Sequence, residues 1–219
     1  MRARLRSVPV VLGLLGLVAA GCGDGAPEDA APEAVTAPDG VRLDDGAAAV
    51  VGDSTIPRAD LDERVELLLA NPQINEQVAA APSAEAAERQ LAASTLSQMI
   101  TTRIVLEAAE DEGITVSDEE VAEVRAELAE QAGGEEQLTA QLQGAGLPEG
   151  QFERELRGVV AFEKLTAELT DGTAPATATE MPPELQDWLA RQFAEAEVTV
   201  AADLGTWDPT SGQVVPTAV

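Results

Sequence analysis

The sequence predicts a mainly α-helical bundle around one long helix, with a small two-stranded β element that pairs the N- and C-terminal ends of the folded region. Residues 85–112 contain neither Gly nor Pro, and their apolar residues recur at three- and four-residue steps. Two short apolar runs, at 47–51 and 198–200, lie on either side of the helical segments. A lone strand is not stable, so we expect these two runs to pair with each other.

The long helix is expected over residues 85–112, and Gly113 marks its end. At 1.5 Å per residue it would be about 42 Å long, which is longer than an ordinary domain helix. Its apolar stripe therefore needs neighbouring segments to cover it. The stripe consists of Leu91, Leu96, Met99, Ile100, Ile104 and Ala108.

The remaining elements have start or stop signals of their own. Pro57 suits a first helical turn, Ser117 and Glu120 fit a capping box, and Gly133-Gly134 breaks a helix. The expected elements are, in order, a strand at 47–51, a helix at 57–70, the long helix, a helix from 118, a short helix at 135–142, a helix at 148–169, a helix at 184–195 and a strand at 198–200. Loops are expected at 71–84 and 170–183, and a flexible tail at 211–219.

Residues 1–21 are typical of a bacterial export signal. Three arginines precede an apolar stretch over residues 8–20, which is too short to span a bilayer comfortably. The arginines are Arg2, Arg4 and Arg6. We therefore expect an exported protein whose first 21 residues are removed.

The end of this signal resembles a bacterial lipobox. Ala20 and Gly21 precede Cys22, the single cysteine of the chain. The resemblance implies a diacylglyceryl thioether on Cys22 and cleavage before it, and two or three acyl chains give a stable membrane anchor. The alternative is an ordinary signal peptide cut near Ala19 or Ala20, which leaves a free thiol.

Residues 22–46 are rich in Gly, Pro, Ala and acidic residues, and they predict a disordered acidic tether. The whole chain has 40 acidic and 13 basic residues, so its net charge is −27, and it becomes −30 when the three signal arginines are removed. This charge repels phosphates, so nucleic acid is not an expected partner. It also argues against a basic face for anionic lipid, so lipidated Cys22 is the expected contact with the membrane.

The composition excludes several classes of chemistry. The chain has no His, so His-based triads, His-ligated metals and His general bases are absent. One Cys allows neither an internal disulfide nor a thiolate metal cluster. The carboxylates at 110–112 and 118–120 lack the ligand pattern of a calcium loop and read as solvated helix ends. We expect no catalytic residue, cofactor or metal.

The order of elements over about residues 47–210 resembles the N-terminal module of the SurA/PrsA family of extracytoplasmic folding factors. The stretches that carry the resemblance are AAVVGD (48–53), EAAEDEGITVSDEEV (107–121), LPEGQFERELR (147–157) and VTVAADLGTWD (198–208). Family members that are prolyl isomerases insert a parvulin-type domain between the last bundle helix and the C-terminal helix. Here that interval, 170–183, is too short for such a domain, and the histidines of the usual parvulin site are missing.

The resemblance implies a chaperone module without the isomerase. Together with the lipobox it leads us to expect an exported chaperone-like protein, lipid-anchored to the outer face of the cytoplasmic membrane, that binds unfolded exported polypeptides without catalysis. The expected binding site is a cleft between the long helix and the helices over 118–169. The candidate client-binding residues are Met99, Ile100, Ile104, Phe152 and Leu156. Two alternatives stay open: a structural or assembly lipoprotein that binds one envelope partner, and a peptidyl-prolyl isomerase.

Overall fold

The computed structural model describes residues 43, 46–170 and 182–217. Within these residues the helices are α1 (Arg58–Ala70), α2 (Pro72–Ala80), α3 (Ala84–Asp111), α4 (Asp118–Ala132), α5 (Glu135–Gly144), α6 (Glu149–Leu169) and α7 (Pro183–Glu195). The strands are β1 (Ala47–Val51), β2 (Ser54–Pro57), β3 (Val198–Val200), β4 (Thr206–Asp208) and β5 (Gln213–Val215). The predicted fold class, a mainly helical protein with a small β element, is confirmed.

The predicted pairing of the two ends of the folded region is also confirmed. β1 and β3 are antiparallel, and Ala49 lies opposite Val200. The sheet has a further strand that the sequence did not predict, because β2 pairs with the other edge of β1 in the order β2-β1-β3. Gly52 makes the tight turn between β1 and β2 at φ +51°, where glycine avoids the steric cost of a Cβ.

The C-terminal residues 213–215 are ordered, although the sequence predicted a flexible tail over 211–219. β5 pairs with β4 in a second antiparallel pair. Val214 is buried among the side chains of α3 and the sheet, and its N–H donates to Ser97 Oγ over 2.8 Å. This apolar burial and the hydrogen bond to α3 hold the segment in place.

Residues 72–80 form a helix where the sequence predicted a loop. Pro72 occupies the first turn, where its missing N–H is not needed, and Asn71 Oδ1 accepts the N–H of Gln73. The same Asn-Pro pair that ends α1 therefore begins α2. The sequence analysis took Asn71-Pro72 only as the end of α1 and not as the start of a second helix.

The predicted long helix and the predicted capping box are confirmed. α3 has 28 residues, and Ser83 caps its N-terminus by accepting the N–H of Ala86. At the start of α4, Ser117 Oγ accepts from the backbone of Glu120, and the Glu120 carboxylate accepts from the backbone of Ser117.

Three clusters of buried side chains join these elements, and α3 takes part in two of them. The sheet-side cluster includes Val51, Ile56, Leu61, Leu96, Ile100 and Val214. The α7 cluster includes Val105, Ala109, Ala161, Leu165, Leu185 and Trp188. The α4–α5 cluster includes Val121, Leu128, Leu138, Leu142, Phe152 and Leu156. The two faces of α3 are thus covered by different partners, the sheet on one side and α6 with α7 on the other.

Several predicted features lie outside the described residues. They are the signal segment at 1–21, the lipidation site Cys22, the tether apart from Leu43 and Gly46, and residues 171–181 of the second loop. Among the residues that the structure does describe, no helix has both the length and the apolar character that a membrane crossing requires.

Candidate functional site

A cavity of about 310 Å³ lies between the C-terminal half of α3, the middle of α6 and the segment at 114–116 that leads into α4. We call it the α3–α6 cavity; it lies where the sequence predicted a cleft. It is lined by Leu106, Ala109, Glu110, Ile114, Thr115, Val116, Arg157 and Ala161. Most of these side chains are apolar. The volume is near the lower end of the ~300–1,000 Å³ typical of ligand pockets, and it suits one or two apolar side chains.

Small residues on the two facing helices leave this space open. Ala109 of α3 and Ala161 of α6 are both buried and both line the cavity. One turn earlier on α6, a Cβ at Gly158 would lie 2.8 Å from the Thr102 methyl group, so the helices approach closely there. The cavity therefore results from close helix packing combined with side chains too short to fill the adjoining space.

Two cations of α6 fix the 114–116 segment, which forms one wall of the cavity. Arg157 Nη1 donates to the carbonyl oxygen of Val116 over 3.1 Å, and Lys164 Nζ donates to that of Thr115 over 2.7 Å. The same two cations pair with the first turn of α4. Arg157 binds Asp118, and Lys164 Nζ lies 2.5 Å from Glu120 Oε1. Charge-assisted bonds thus attach this wall to α6 and attach α6 to the first turn of α4.

Two carboxylates, one at the start of α4 and one on α3, have pKa values that are shifted in opposite directions. The hydrogen bond from Lys164, followed by those from Ser117, lowers the pKa of Glu120 to about 2. Glu107 lies away from the cavity, against Gly52 at the turn between β1 and β2; partial desolvation raises its pKa, and the nearby carboxylate of Asp111 raises it further. Glu110, at the cavity itself, is exposed. A polypeptide that enters therefore meets a mainly apolar lining that also carries one carboxylate, Glu110, and one guanidinium, Arg157.

The three candidate client-binding residues of α3 do not line the cavity. Met99, Ile100 and Ile104 are all buried in the sheet-side cluster. The sheet and β5 cover this part of the apolar stripe. The sequence did not show that these strands would pack on α3. In this structure these side chains have a packing role and present no surface to a client.

The two candidate residues of α6 are buried as well. Phe152 and Leu156 belong to the α4–α5 cluster, each about 3% exposed. The Arg125 guanidinium lies 5.4 Å from the centre of the Phe152 ring, a cation–π contact that covers the ring further. All five candidate side chains are thus buried in this structure, and client contact at them stays a prediction.

The lining residues were missed because the sequence does not say which residues of α3 and α6 face each other. Ile114 and Val116 belong to the stretch that carried the family resemblance, and that stretch was a usable signal. Ala109 lies in the same stretch, but neither it nor Ala161 could be recognised as a lining residue, because alanine is common throughout these helices. Their importance depends on the pairing of α3 with α6.

The described residues include no group of three or more metal-ligating side chains that could hold a metal ion. Asp118 and Glu120, which lie in one of the acidic stretches, are paired with Arg157 and Lys164.

Comparison with known proteins identifies the family. The family model for the SurA-like N-terminal domain matches residues 1–166. The protein named Chaperone SurA of Burkholderia orbicola (strain AU 1054) is 32% identical over 155 residues, which are 69% of this chain and 33% of that protein. Chaperone SurA of Burkholderia pseudomallei (strain 1710b) is 30% identical over 143 residues, 65% of this chain and 31% of that protein. This chain thus spans about a third of the length of these curated relatives, and it belongs to the SurA-like N-terminal domain family.

Proposed function

We propose that this protein is an exported, membrane-anchored chaperone-like lipoprotein that binds unfolded polypeptides without catalysis. The observation that carries the proposal is the α3–α6 cavity, a mainly apolar site in a chain of the SurA-like N-terminal domain family. The relatives named Chaperone SurA support the same class of function.

Binding would proceed by burial of aliphatic or aromatic side chains of the client. Full burial of one such side chain contributes roughly 1.5–3 kcal/mol, so a site for one or two side chains gives weak and reversible binding. Weak binding of short apolar segments suits a chaperone, because the same segments must later return to the core of the client. The net charge of −27 helps to keep the protein and its complexes soluble.

Membrane attachment would come from the lipobox-like sequence at Cys22. An acidic tether of residues 23–46 would hold the folded region away from the lipid, because its carboxylates repel each other. Clients would then be bound near the membrane surface at which exported chains emerge.

A structural or assembly lipoprotein is the second candidate. It is favoured by the burial of all five predicted client-binding side chains, because a bundle with a closed core can serve as a scaffold. A scaffold would bind one partner in a fixed ratio, whereas a chaperone would bind many clients in small amounts. Quantification of the proteins retained by the chain in envelope extracts separates the two.

The experiment that tests the proposed function is suppression of aggregation. A secreted protein is reduced and unfolded, and its light scattering is followed with and without residues 23–219 of this chain. The proposal predicts less scattering and a detectable complex with the unfolded protein. Unchanged scattering together with no complex would contradict it.

A further inference from the structure

Residues 114–116, which we call the strap, connect α3 to α4 without forming a helix or a strand. They supply three of the eight residues that line the α3–α6 cavity, and the other five come from α3 and α6. The strap is therefore the one wall of the cavity that is not part of a helix. If the strap moved away from α6, the cavity would become an open groove between α3 and α6.

Few main-chain contacts hold the strap. The N–H of Ile114 donates to the carbonyl oxygen of Ala109 over 2.8 Å, at the end of α3. In the part of the chain that the structure describes, the carbonyl oxygens of Thr115 and Val116 accept hydrogen bonds from side chains of α6 and from no main-chain N–H. The side chains of Ile114 and Val116 are only partly buried. Such a segment opens more easily than the helices on either side of it.

The strap lies between a glycine and a capped helix start. Gly113 has φ +77°, and a Cβ built there would meet no atom within 4 Å. Glycine can exchange this conformation for others at little steric cost, so Gly113 suits a hinge. At the other end, Ser117 and Glu120 form the capping box that keeps the start of α4 in place. Movement of the strap would therefore be confined to residues 113–116.

The bonds that hold the strap on α6 come from charged groups that solvent can reach. Arg157 and Lys164 donate to the strap carbonyl oxygens and also pair with Asp118 and Glu120 of α4. The side chains of these two cations are 37% and 35% exposed. Because dissolved ions screen exposed charges, these bonds should weaken as the salt concentration rises.

We propose that Arg157 and Lys164 control access to the α3–α6 cavity by holding the strap closed, and that the cavity opens when salt weakens their bonds. This inference deepens the proposed function and rests on it, because it concerns the regulation of the same site. The two cations are about two helical turns apart, so they project from the same side of α6 towards the strap. Release of the strap would leave α3 and α6 packed on each other, because their close contact at Gly158 does not involve it.

The test measures access to the cavity with a thiol reagent and needs no client. In the full chain, Cys22→Ser removes the single native thiol, and Ala109→Cys places a new thiol at a lining position that is 1% exposed. Ala93→Cys in the same background is the matched control, because Ala93 is equally buried on α3 but belongs to the sheet-side cluster. The rate of modification is followed as NaCl is raised from about 0.01 M to about 1 M, which shortens the Debye length from ~30 Å to ~3 Å.

We expect the thiol of Ala109→Cys to react at least about fivefold faster at the higher salt concentration, because screening weakens the bonds of the two cations. The thiol of Ala93→Cys should react at an unchanged rate. Thermal melting followed by circular dichroism checks that each variant is folded. If Ala109→Cys melts early, Ala161→Cys, which lies at the facing lining position and is also 1% exposed, replaces it.

The two cations are tested directly by Arg157→Met/Lys164→Met, added to Ala109→Cys. This variant keeps long aliphatic side chains but removes both charges, so its thiol should react fast at low salt and lose the salt dependence. The control is Arg89→Met/Arg191→Met, which removes the same charge from positions outside the cavity lining and should retain the salt dependence.

Three outcomes would overturn the inference. If the rate at Ala109→Cys depends neither on salt nor on the two cations, these cations do not hold the strap closed. If the salt dependence persists in Arg157→Met/Lys164→Met, other charges cause it. If Ala109→Cys and Ala93→Cys accelerate equally, the whole fold loosens and access to the cavity is not controlled separately. None of these outcomes decides the proposed function, which the aggregation experiment tests, so the two failures are distinguishable.

Discussion

Arg64 of α1 and Glu155 of α6 form an ion pair inside the helical bundle, with Nη2 and Oε1 2.5 Å apart. Arg64 Nε also donates to Gln151 Oε1 over 2.6 Å, and Thr102 of α3 donates to the second oxygen of Glu155 over 3.0 Å. The Arg64 side chain is 6% exposed and that of Glu155 is 23% exposed. One polar network therefore joins α1 to α3 and α6, the two helices that line the α3–α6 cavity.

Removal of one partner should be strongly destabilising, because it leaves the other charge with little solvation. We expect Arg64→Ala to lower the free energy of unfolding by about 3 kcal/mol or more, measured by urea denaturation. The matched control is Arg89→Ala, which removes a pair with Glu85, whose side chain is 80% exposed, and should cost less than about 1 kcal/mol. Equal losses in the two variants would contradict a special role for the buried pair.

The last strand gives a second prediction about stability. Val214 is 3% exposed, whereas its neighbour Val215 is 53% exposed. Val214→Ala should lower the free energy of unfolding by about 2 kcal/mol, from ~0.8 kcal/mol per lost methylene plus a small cavity term. Val215→Ala, the matched control, should change it by less than about 0.5 kcal/mol. If both variants unfold like the unmodified chain, β5 does not support the core.

Glu120 should make stability depend on pH at the acidic end. Its pKa is lowered to about 2 by Lys164 and Ser117, from an ordinary value of 4.5. Its contribution to stability is therefore present above about pH 4.5 and is lost as the pH falls from there towards 2. Glu120→Gln should remove this part of the pH dependence in urea denaturation series. Glu119→Gln, at an exposed neighbouring position, should retain it; loss of the dependence in both variants would point to a general charge effect.

Glu107 should make stability depend on pH in the opposite direction, so that stability falls as the pH rises. Burial, followed by repulsion from Asp111, raises its pKa, so the charged form is disfavoured in the folded state. The stability that the protonated form contributes is lost as the pH rises through its raised pKa. Glu107→Gln is therefore expected to raise the free energy of unfolding at pH 7. A decrease at pH 7 would show that the carboxylate makes a favourable contact that outweighs repulsion.

Lipidation makes a prediction that does not depend on the fold. In cells that process bacterial lipoproteins, the chain should fractionate with membranes, and Cys22→Ser should release it. Mass spectrometry of the mature N-terminus should show acyl groups on residue 22. A mature chain with a free thiol at Cys22 would instead support the ordinary signal peptide.

Local signals made most of the helical architecture predictable. The boundaries of α3 and the capping box of α4 follow from residues close in sequence, namely the Gly/Pro-free stretch and the Ser117–Glu120 pair. The pairing of β1 with β3 could also be predicted, because two short strands at the ends of a helical region have few other partners.

The candidate site was less predictable, because it depends on contacts between distant segments. The stripe residues Met99 and Ile104 could be assigned to one face of α3, but the sequence did not show that the sheet and β5 would cover that face. The cavity arises where Ala109 and Ala161 meet across two helices. Ala109 lies in the stretch that carried the family resemblance, but no local pattern marks either alanine as a lining residue.

The measurement that most directly tests the central claim is binding of a reduced, unfolded secreted protein to the full chain with the α3–α6 cavity blocked. Thr115 is exposed and lines the cavity, so Thr115→Trp places a bulky side chain at its mouth without removing a buried contact. Glu112→Trp, at an exposed position outside the lining, is the matched control. We expect binding by the unmodified chain and by Glu112→Trp, and at least about tenfold weaker binding by Thr115→Trp. Equal affinity in all three would contradict the assignment of the cavity as the client site, and no binding by the unmodified chain would contradict the proposed function itself.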